Sequence, residues 1–176
     1  SIASGDVIIV NGSIGDHGAA IMSCRETLQP KAGIFSDSAP LNGLVAEVLE
    51  SGSRVHCMRD ATRGGLGAVL VELAAQSGAE LEMRESDIPV RESVRGFCEV
   101  LGIDPIFLAN EGKLAMFCPE ADARKVLEIM HKNEFGKGAA IIGRVAGRSG
   151  RALLRTIAGG TRVLDLPTGE LVPRIC

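Results

Sequence analysis

Hydrophobic positions along this chain switch several times between alternation and helical spacing, and each switch marks an element. Asp6 to Val10 is a short continuous apolar run that predicts a buried strand. Asn11-Gly12-Ser13-Ile14-Gly15-Asp16-His17-Gly18 reads as a glycine-rich turn feeding a helix from about Ala19. An irregular stretch with Pro30, Gly33 and Pro40 follows. Leu44, Val45, Val48 and Leu49 then share one face of a helix predicted from Leu41 to about Glu50, with Gly52 past its end. Val55 to Met58 predicts a second strand. Leu66, Val69, Leu70, Leu73 and Ala74 recur at helical spacing as far as Gly78. Leu81 and Met83 alternate with Glu80, Glu82 and Arg84, the pattern of a half-buried strand. Beyond Pro89, Val94, Phe97, Cys98 and Leu101 mark a helix stopped by Gly102. Lys113 to Cys118 reads as a strand, and Val126, Leu127 and Met130 lie on the helix after it. Ala139–Val145, Ala152–Arg155 and Arg162–Leu166 predict three closing strands, with Pro167-Thr168-Gly169 turning the chain towards its tail.

Strands and helices intermix, but the chain ends in a run of strands. The pattern predicts an α+β layered domain with a mixed β-sheet packed by helices, not a doubly wound fold. A length of 176 residues suits one domain with a substantial core, or one domain with an appendage. At 45% hydrophobic and 23% charged residues the chain is expected to fold, not to be disordered. A net charge of −3 without a block of like charges excludes a broad nucleic-acid-binding face. Trp and Tyr are absent, which removes aromatic platforms for single strands. No apolar run approaches the roughly 20 residues of a membrane span. The first residues carry no signal-peptide pattern. The chain opens on Ser1-Ile2-Ala3 without an initiator Met, which reads as the interior of a longer protein, whether processed or cut between domains.

Five cysteines, an odd number without a C-x-x-C pair, argue against a zinc site or a disulfide framework and for a reducing, cytosolic setting. Cys24, Cys57, Cys98 and Cys118 lie in apolar patterns and are expected to be small buried hydrophobes. Cys176 differs. It ends the chain behind Pro173, Arg174 and Ile175, and chain ends are poorly ordered unless tied down, so its thiol is either a reactive atom on a movable arm or an incidental terminus. A prenylation signal is excluded because it needs three residues after its cysteine.

Three stretches carry chemistry-bearing residues. Met58-Arg59-Asp60-Ala61-Thr62-Arg63-Gly64-Gly65-Leu66-Gly67 runs from a strand into a helix N-terminus through paired glycines. Free backbone N–H groups and the helix dipole favour an anion there. Arg63 adds a bidentate grip, while Asp60 or Thr62 caps the helix or holds a metal-bound phosphate. An ordinary capped turn fits the same residues equally well, and the spacing matches neither a P-loop nor a dinucleotide fingerprint. In Leu108-Ala109-Asn110-Glu111-Gly112-Lys113, a carboxylate beside a glycine at the head of a strand can enter a cleft and serve as a general base. A solvated turn glutamate is the plainer alternative. In Gly15-Asp16-His17-Gly18 a histidine beside a carboxylate can shuttle protons, although a lone turn histidine is more often structural. The three histidines are scattered and make no metal site; His56 and His131 are assigned no role.

Taken together, Asp-Ala-Thr-Arg-Gly-Gly-Leu at 60–66, Ser-Ile-Gly-Asp-His-Gly at 13–18, Ala-Asn-Glu-Gly at 109–112 and the terminal Pro-Arg-Ile-Cys resemble the HypE family. These are maturation proteins of nickel–iron hydrogenases, in the superfamily of aminoimidazole ribonucleotide synthetase (PurM) and selenophosphate synthetase. The resemblance spans the whole chain but only the C-terminal portion of the family's protein. It implies a PurM C-terminal-like domain over residues 1–160, with 161–176 as a strand, turn and mobile tail. The N-terminal domain that carries most of the ATP–Mg²⁺ site and the homodimer interface lies outside the chain.

The resemblance also implies a reaction. HypF carbamoylates Cys176, ATP activates the carbonyl oxygen, and loss of phosphate leaves an S-cyanated cysteine whose cyano group passes to iron held by HypC and HypD. Cys176, Glu111 and His17 become catalytic candidates, with Glu111 as the base. Asp16, Asp60, Thr62, Arg63, Gly64, Gly65 and Asn110 become phosphate or substrate contacts, and no residue is expected to be a metal ligand. Arg174 is expected to offset the terminal carboxylate, which disfavours the thiolate. The isolated chain is expected to be inactive and to bind ATP weakly or not at all. The alternatives are another ATP-dependent synthetase of the superfamily, whose chemistry needs no terminal cysteine, or a docking domain in which the thiol is irrelevant. A redox-sensing thiol would require a resolving cysteine nearby.

Overall fold

Buried hydrophobic side chains segregate onto the two faces of one mixed sheet. The computed structural model describes residues 1–25 and 33–166. The turn expected at 167–169 and the tail from Pro173 to Cys176 lie outside the described residues. The elements are β1 (Asp6–Val10), α1 (Asp16–Arg25), α2 (Asn42–Glu50), β2 (Cys57–Asp60), α3 (Gly65–Ser77), β3 (Glu80–Arg84), α4 (Glu92–Leu101), β4 (Leu114–Pro119), α5 (Glu120–Lys132), β5 (Ala140–Gly147), β6 (Ala152–Arg155) and β7 (Thr161–Leu164). Single 3₁₀ turns sit at Glu85–Asp87 and Pro105–Phe107. The strands run in the order β2-β4-β1-β5-β3-β6-β7 among the described residues. Neighbours are antiparallel except β3 with β6, so the expected α+β layered domain with a mixed sheet is the fold observed.

The central strand explains its own sequence. Val7 and Ile9 of β1 pack with Leu44 and Val48 of α2 and with Val126 and Met130 of α5. Ile8 and Val10 point the other way, against Leu66, Val69, Leu70 and Leu73 of α3. Covered on both faces, β1 has no solvent side and reads as an unbroken apolar run. By contrast, β3 buries only Leu81 and Met83 against α3 and alternates with glutamates. A smaller cluster of Ala19, Val94, Phe97, Cys98 and Leu108 ties α1 to α4.

Several expectations shift. α1 begins at Asp16, not near Ala19, because Ala19 N–H already closes a helical turn on the Gly15 carbonyl at 3.0 Å. The second strand is Cys57–Asp60, not Val55–Met58, since its pairing with β4 runs from Cys57 opposite Phe117 to Asp60 opposite Leu114. Ladder bonds carry an edge strand through polar residues that hydrophobic patterning stops short of. Leu49 is 50% exposed, because α2 buries only the stripe through Leu44 and Val48. Cys24 is also exposed and Cys57 only half-buried, contrary to expectation, whereas Cys98 and Cys118 are buried. Burial first, then neighbouring carboxylates, pushes both of those thiols up to about 11. His56 closes the opposite end of the sheet, its Nδ1 2.8 Å from Oδ2 of buried Asp6.

Candidate functional site

Strand register decides what meets at the other end. Val10 of β1 lies opposite Ala115, and Asp60 of β2 opposite Leu114, so β1 and β2 finish where β4 begins. The chain after β1, the turn after β2 and the residues before β4 therefore emerge side by side. All three chemistry-bearing stretches come together there.

Two buried asparagines knot them. Asn110 Oδ1 accepts the Gly15 N–H at 2.7 Å, and its Nδ2 donates to the Ala61 and Leu108 carbonyls at 2.9 and 3.2 Å. Asn11 Nδ2 donates to the Gly112 and Phe135 carbonyls, and its Oδ1 accepts the Leu114 N–H. Both amide protons of Asn110 are committed within the chain. Asn110, expected as a phosphate or substrate contact, clamps the 13–18 turn to the 60–65 turn.

Glu111, half-buried, sits in the turn these clamps hold. Its N–H donates to Asp37 Oδ1 at 3.0 Å. The second oxygen, Asp37 Oδ2, lies 3.0 Å from Lys113 Nζ as an ion pair without hydrogen-bond geometry, and the two side chains are 3% and 12% exposed. Lys113 Nζ donates to the Gly112 carbonyl as well, at 3.2 Å. Residues 36–39 press directly on this turn: a Cβ on Gly112 would stand 2.0 Å from the Asp37 carbonyl oxygen. The residue must be glycine for that approach.

Asp16 forms the second buried charge. Its side chain is 2% exposed; Oδ2 accepts from Ser13 Oγ at 3.0 Å, and Oδ1 stands 3.5 Å from Arg91 Nε with no hydrogen-bond partner. Burial pushes its carboxyl above the usual value of 3.8, the Asp37 charge adds to the rise, and Arg91, Ser13 and Lys113 oppose it. Next to it, His17 Nδ1 lies 2.9 Å from Ser36 Oγ, which fastens the 36–39 segment to α1. A raised folded-state value means the folded protein holds this proton more tightly than the unfolded chain. The contribution of Asp16 to stability is therefore greatest below 3.8 and is lost as pH rises through its raised folded value. Asp16→Asn, which keeps a neutral group there, is expected to gain melting temperature relative to the native protein on going from pH 3.5 to pH 7. A constant difference across thermal melts at those pH values would show that burial of this charge is not felt.

The 60–65 turn holds α3 by its backbone. Gly64 is the helix N-cap and no side chain caps the helix, so neither Asp60 nor Thr62 plays the capping part expected of them. Thr62 contributes its carbonyl to the Gly65 N–H at 3.0 Å. Gly65, at φ +64, packs against the Leu108 carbonyl. Asp60 and Arg63 are exposed at the rim.

Asp37 and Arg91 were not foreseen from the sequence, and Lys113 was read only as the start of a strand. Ser36-Asp37-Ser38 before Pro40 is the faint local signal for Asp37; nothing local marks Arg91. No group of three or more His, Cys, Asp or Glu that could hold a metal occurs among the described residues. Asp16 and Asp37 each face a cation of the chain instead. None of the described helices is long and apolar enough to cross a membrane. The result is an edge where two carboxylates with buried side chains, each facing a cation of the chain, lie beside a half-buried glutamate, an arrangement suited to orienting a small polar group and taking protons from it.

Comparison with known proteins gives concordant matches. The family described as AIR synthase related protein, C-terminal domain, matches residues 3–154. The carbamoyl dehydratase HypE of Azotobacter vinelandii is 50% identical over 173 residues, covering 98% of this chain and 51% of that protein. The crystal structure of a HypE in complex with ATP superposes with a TM-score of 0.93 at 42% identity, over 99% of this chain and 54% of that one. A HypE–HypF complex matches with a TM-score of 0.89 at 45% identity, over 94% of this chain and 54% of its counterpart. The chain spans about half the length of the curated relatives it matches.

Proposed function

This chain belongs to the HypE family, and we propose that it forms the part of an ATP-dependent carbamoyl dehydratase that carries the substrate on its own Cys176. Residues 1–160 are the body in this reading, with 161–176 as the strand and arm that deliver the thiol. The observation that carries the proposal is the meeting of Glu111, Asp16 and the 60–65 turn at one edge of the sheet, through bonds that cross 95 and 49 residues of chain.

The chemistry follows from what must leave. In the carbamoyl adduct of Cys176, an S–C(=O)–NH₂ group, the oxygen is a poor leaving group, and ATP as co-substrate lets it depart as phosphate. As the C–O bond breaks and the C≡N bond forms, both nitrogen-bound protons must go. Overall, the adduct and ATP give the thiocyanate, ADP, hydrogen phosphate and one proton. Glu111 is the base that takes a proton from nitrogen, and general-base help of this kind contributes about 10²- to 10⁴-fold. His17 relays protons beside it, while Asp16 orients the amide. Thr62, Arg63 and the Gly64-Gly65 backbone, with Asp60 at the rim, face the departing phosphate. The described residues do not fit Mg²⁺, so that ion and most ATP contacts fall to the rest of the protein, and no step here runs through them. HypF supplies the carbamoyl group, HypC with HypD accepts cyanide, and the full-length protein works as a cytoplasmic homodimer.

The deciding measurement is the mass of the Cys176 peptide in the full-length protein. After carbamoylation by HypF an adduct is expected, and after ATP its mass should fall by one water. An adduct that ATP leaves unchanged, or none on Cys176, would overturn the reading.

A further inference from the structure

Resting on the reading of Glu111 as base, we infer that Asp37 is the positioning residue that aims it. Asp37 holds the turn at two points. Oδ1 takes the Glu111 N–H at 3.0 Å and Oδ2 pairs with Lys113 Nζ at 3.0 Å, so one buried carboxylate bridges the residues on either side of Gly112. Its own backbone closes over Gly112, where no Cβ has room, and Ala39 N–H reaches the Glu111 carbonyl at 3.5 Å. The 33–40 segment that bears it contributes little hydrophobic burial. Phe35 is 73% exposed, and Ile34 alone of its large side chains packs on a core cluster. The segment is thus seated mainly by polar contacts, at Ser36 to His17 and at Asp37 to the 111–113 turn.

A carboxylate that only filled space would not need both oxygens on the residues flanking one glycine. The bridge sets where the Glu111 Cα stands relative to the Asn110 clamp and keeps Lys113 beside it. Displacing a catalytic group by about 1 Å can cost about 10²-fold in rate, so this contact matters to chemistry out of proportion to its part in folding.

The test uses full-length protein carbamoylated on Cys176, with dehydration followed by mass in a single turnover. Asp37→Ala is expected to slow dehydration by roughly 10- to 100-fold, and to cause no further slowing in a Glu111→Gln background. Asp37→Asn keeps an acceptor for the Glu111 N–H but gives up the charge that pairs with Lys113, so it should recover only part of the rate, between that of Asp37→Ala and that of the native protein. Should Asp37→Ala not fold, Asp37→Glu makes the same test, because it keeps the charge but shifts the turn by a methylene and should be as slow. Equal slowing by Asp37→Ala with and without Glu111 would mean general loosening and overturn the inference, as would an Asn variant as slow as Ala. If Glu111→Gln alone dehydrates at the native rate, the base reading falls and this inference with it. A slow Glu111→Gln with additive Asp37 effects sinks the Asp37 role alone.

Discussion

Glu111→Gln in the full-length protein is expected to slow loss of water from the Cys176 adduct by about 10²- to 10⁴-fold, the range that a positioned general base contributes. The substitution changes one oxygen to NH₂ and leaves the rest in place. Glu111 meets Asp37 through its backbone N–H, so the turn keeps its clamp. The residue is half-buried and glutamine keeps its length and shape, so stability should move by about 1 kcal/mol or less. Carbamoylation of Cys176 by HypF takes no proton at Glu111 in this scheme and should proceed normally. The informative result is therefore a protein that loads its adduct, melts as the native one does, and fails to dehydrate. Native-rate dehydration would remove Glu111 from the chemistry and return it to a solvated turn.

Gly65→Ala should produce the largest loss of stability. Two effects add at this residue. A non-glycine at φ +64 costs about 1–2 kcal/mol, and the new Cβ would stand 2.4 Å from the Leu108 carbonyl oxygen and 2.7 Å from that of Ile106. Backbone cannot step aside as a flexible side chain can, and such overpacking costs about 1–3 kcal/mol more. The sum is about 2–5 kcal/mol, a fall in melting temperature of roughly 5–15 °C for a domain of this size. Gly52 supplies the control: its φ is +76 but nothing lies within 4 Å of its Cβ position, so Gly52→Ala should cost only about 1–2 kcal/mol. If the two variants melt together, the packing of α3 on residues 106–108 is not what holds Gly65. If Gly65→Ala melts normally and loses only activity, the glycine is there for a ligand.

How much of this was legible depends on the range of the interaction concerned. The α3 helix was plain because Leu66, Val69, Leu70, Leu73 and Ala74 all face one core and repeat at one period. The β1 strand was plain because its burial on both faces leaves an unbroken apolar run. Where a single face decides, the reading slipped: Leu49 lies one residue past the buried stripe of α2, and β2 continues through Arg59 and Asp60 on ladder bonds that hydrophobicity does not record. The clamp made by Asn110 was not legible, since an asparagine that binds a ligand and one that ties two loops look identical along the chain.

From spacing alone the sequence determined the α+β class, most element positions and the three stretches with chemistry in them. Periodicity is a local property, set by which residues a helix or strand turns towards one neighbour. Only the tertiary structure decided that those stretches share one edge and that Asp37 and Lys113 close on Glu111. The first depends on the antiparallel register of β1, β4 and β2, which brings together residues such as Asn11 and Leu114, 103 positions apart. The second depends on the polar contacts of residues 36–39 with that edge. Burial then raises the Asp16 carboxyl above its ordinary value, because loss of water is a property of the packed site and not of the residue itself.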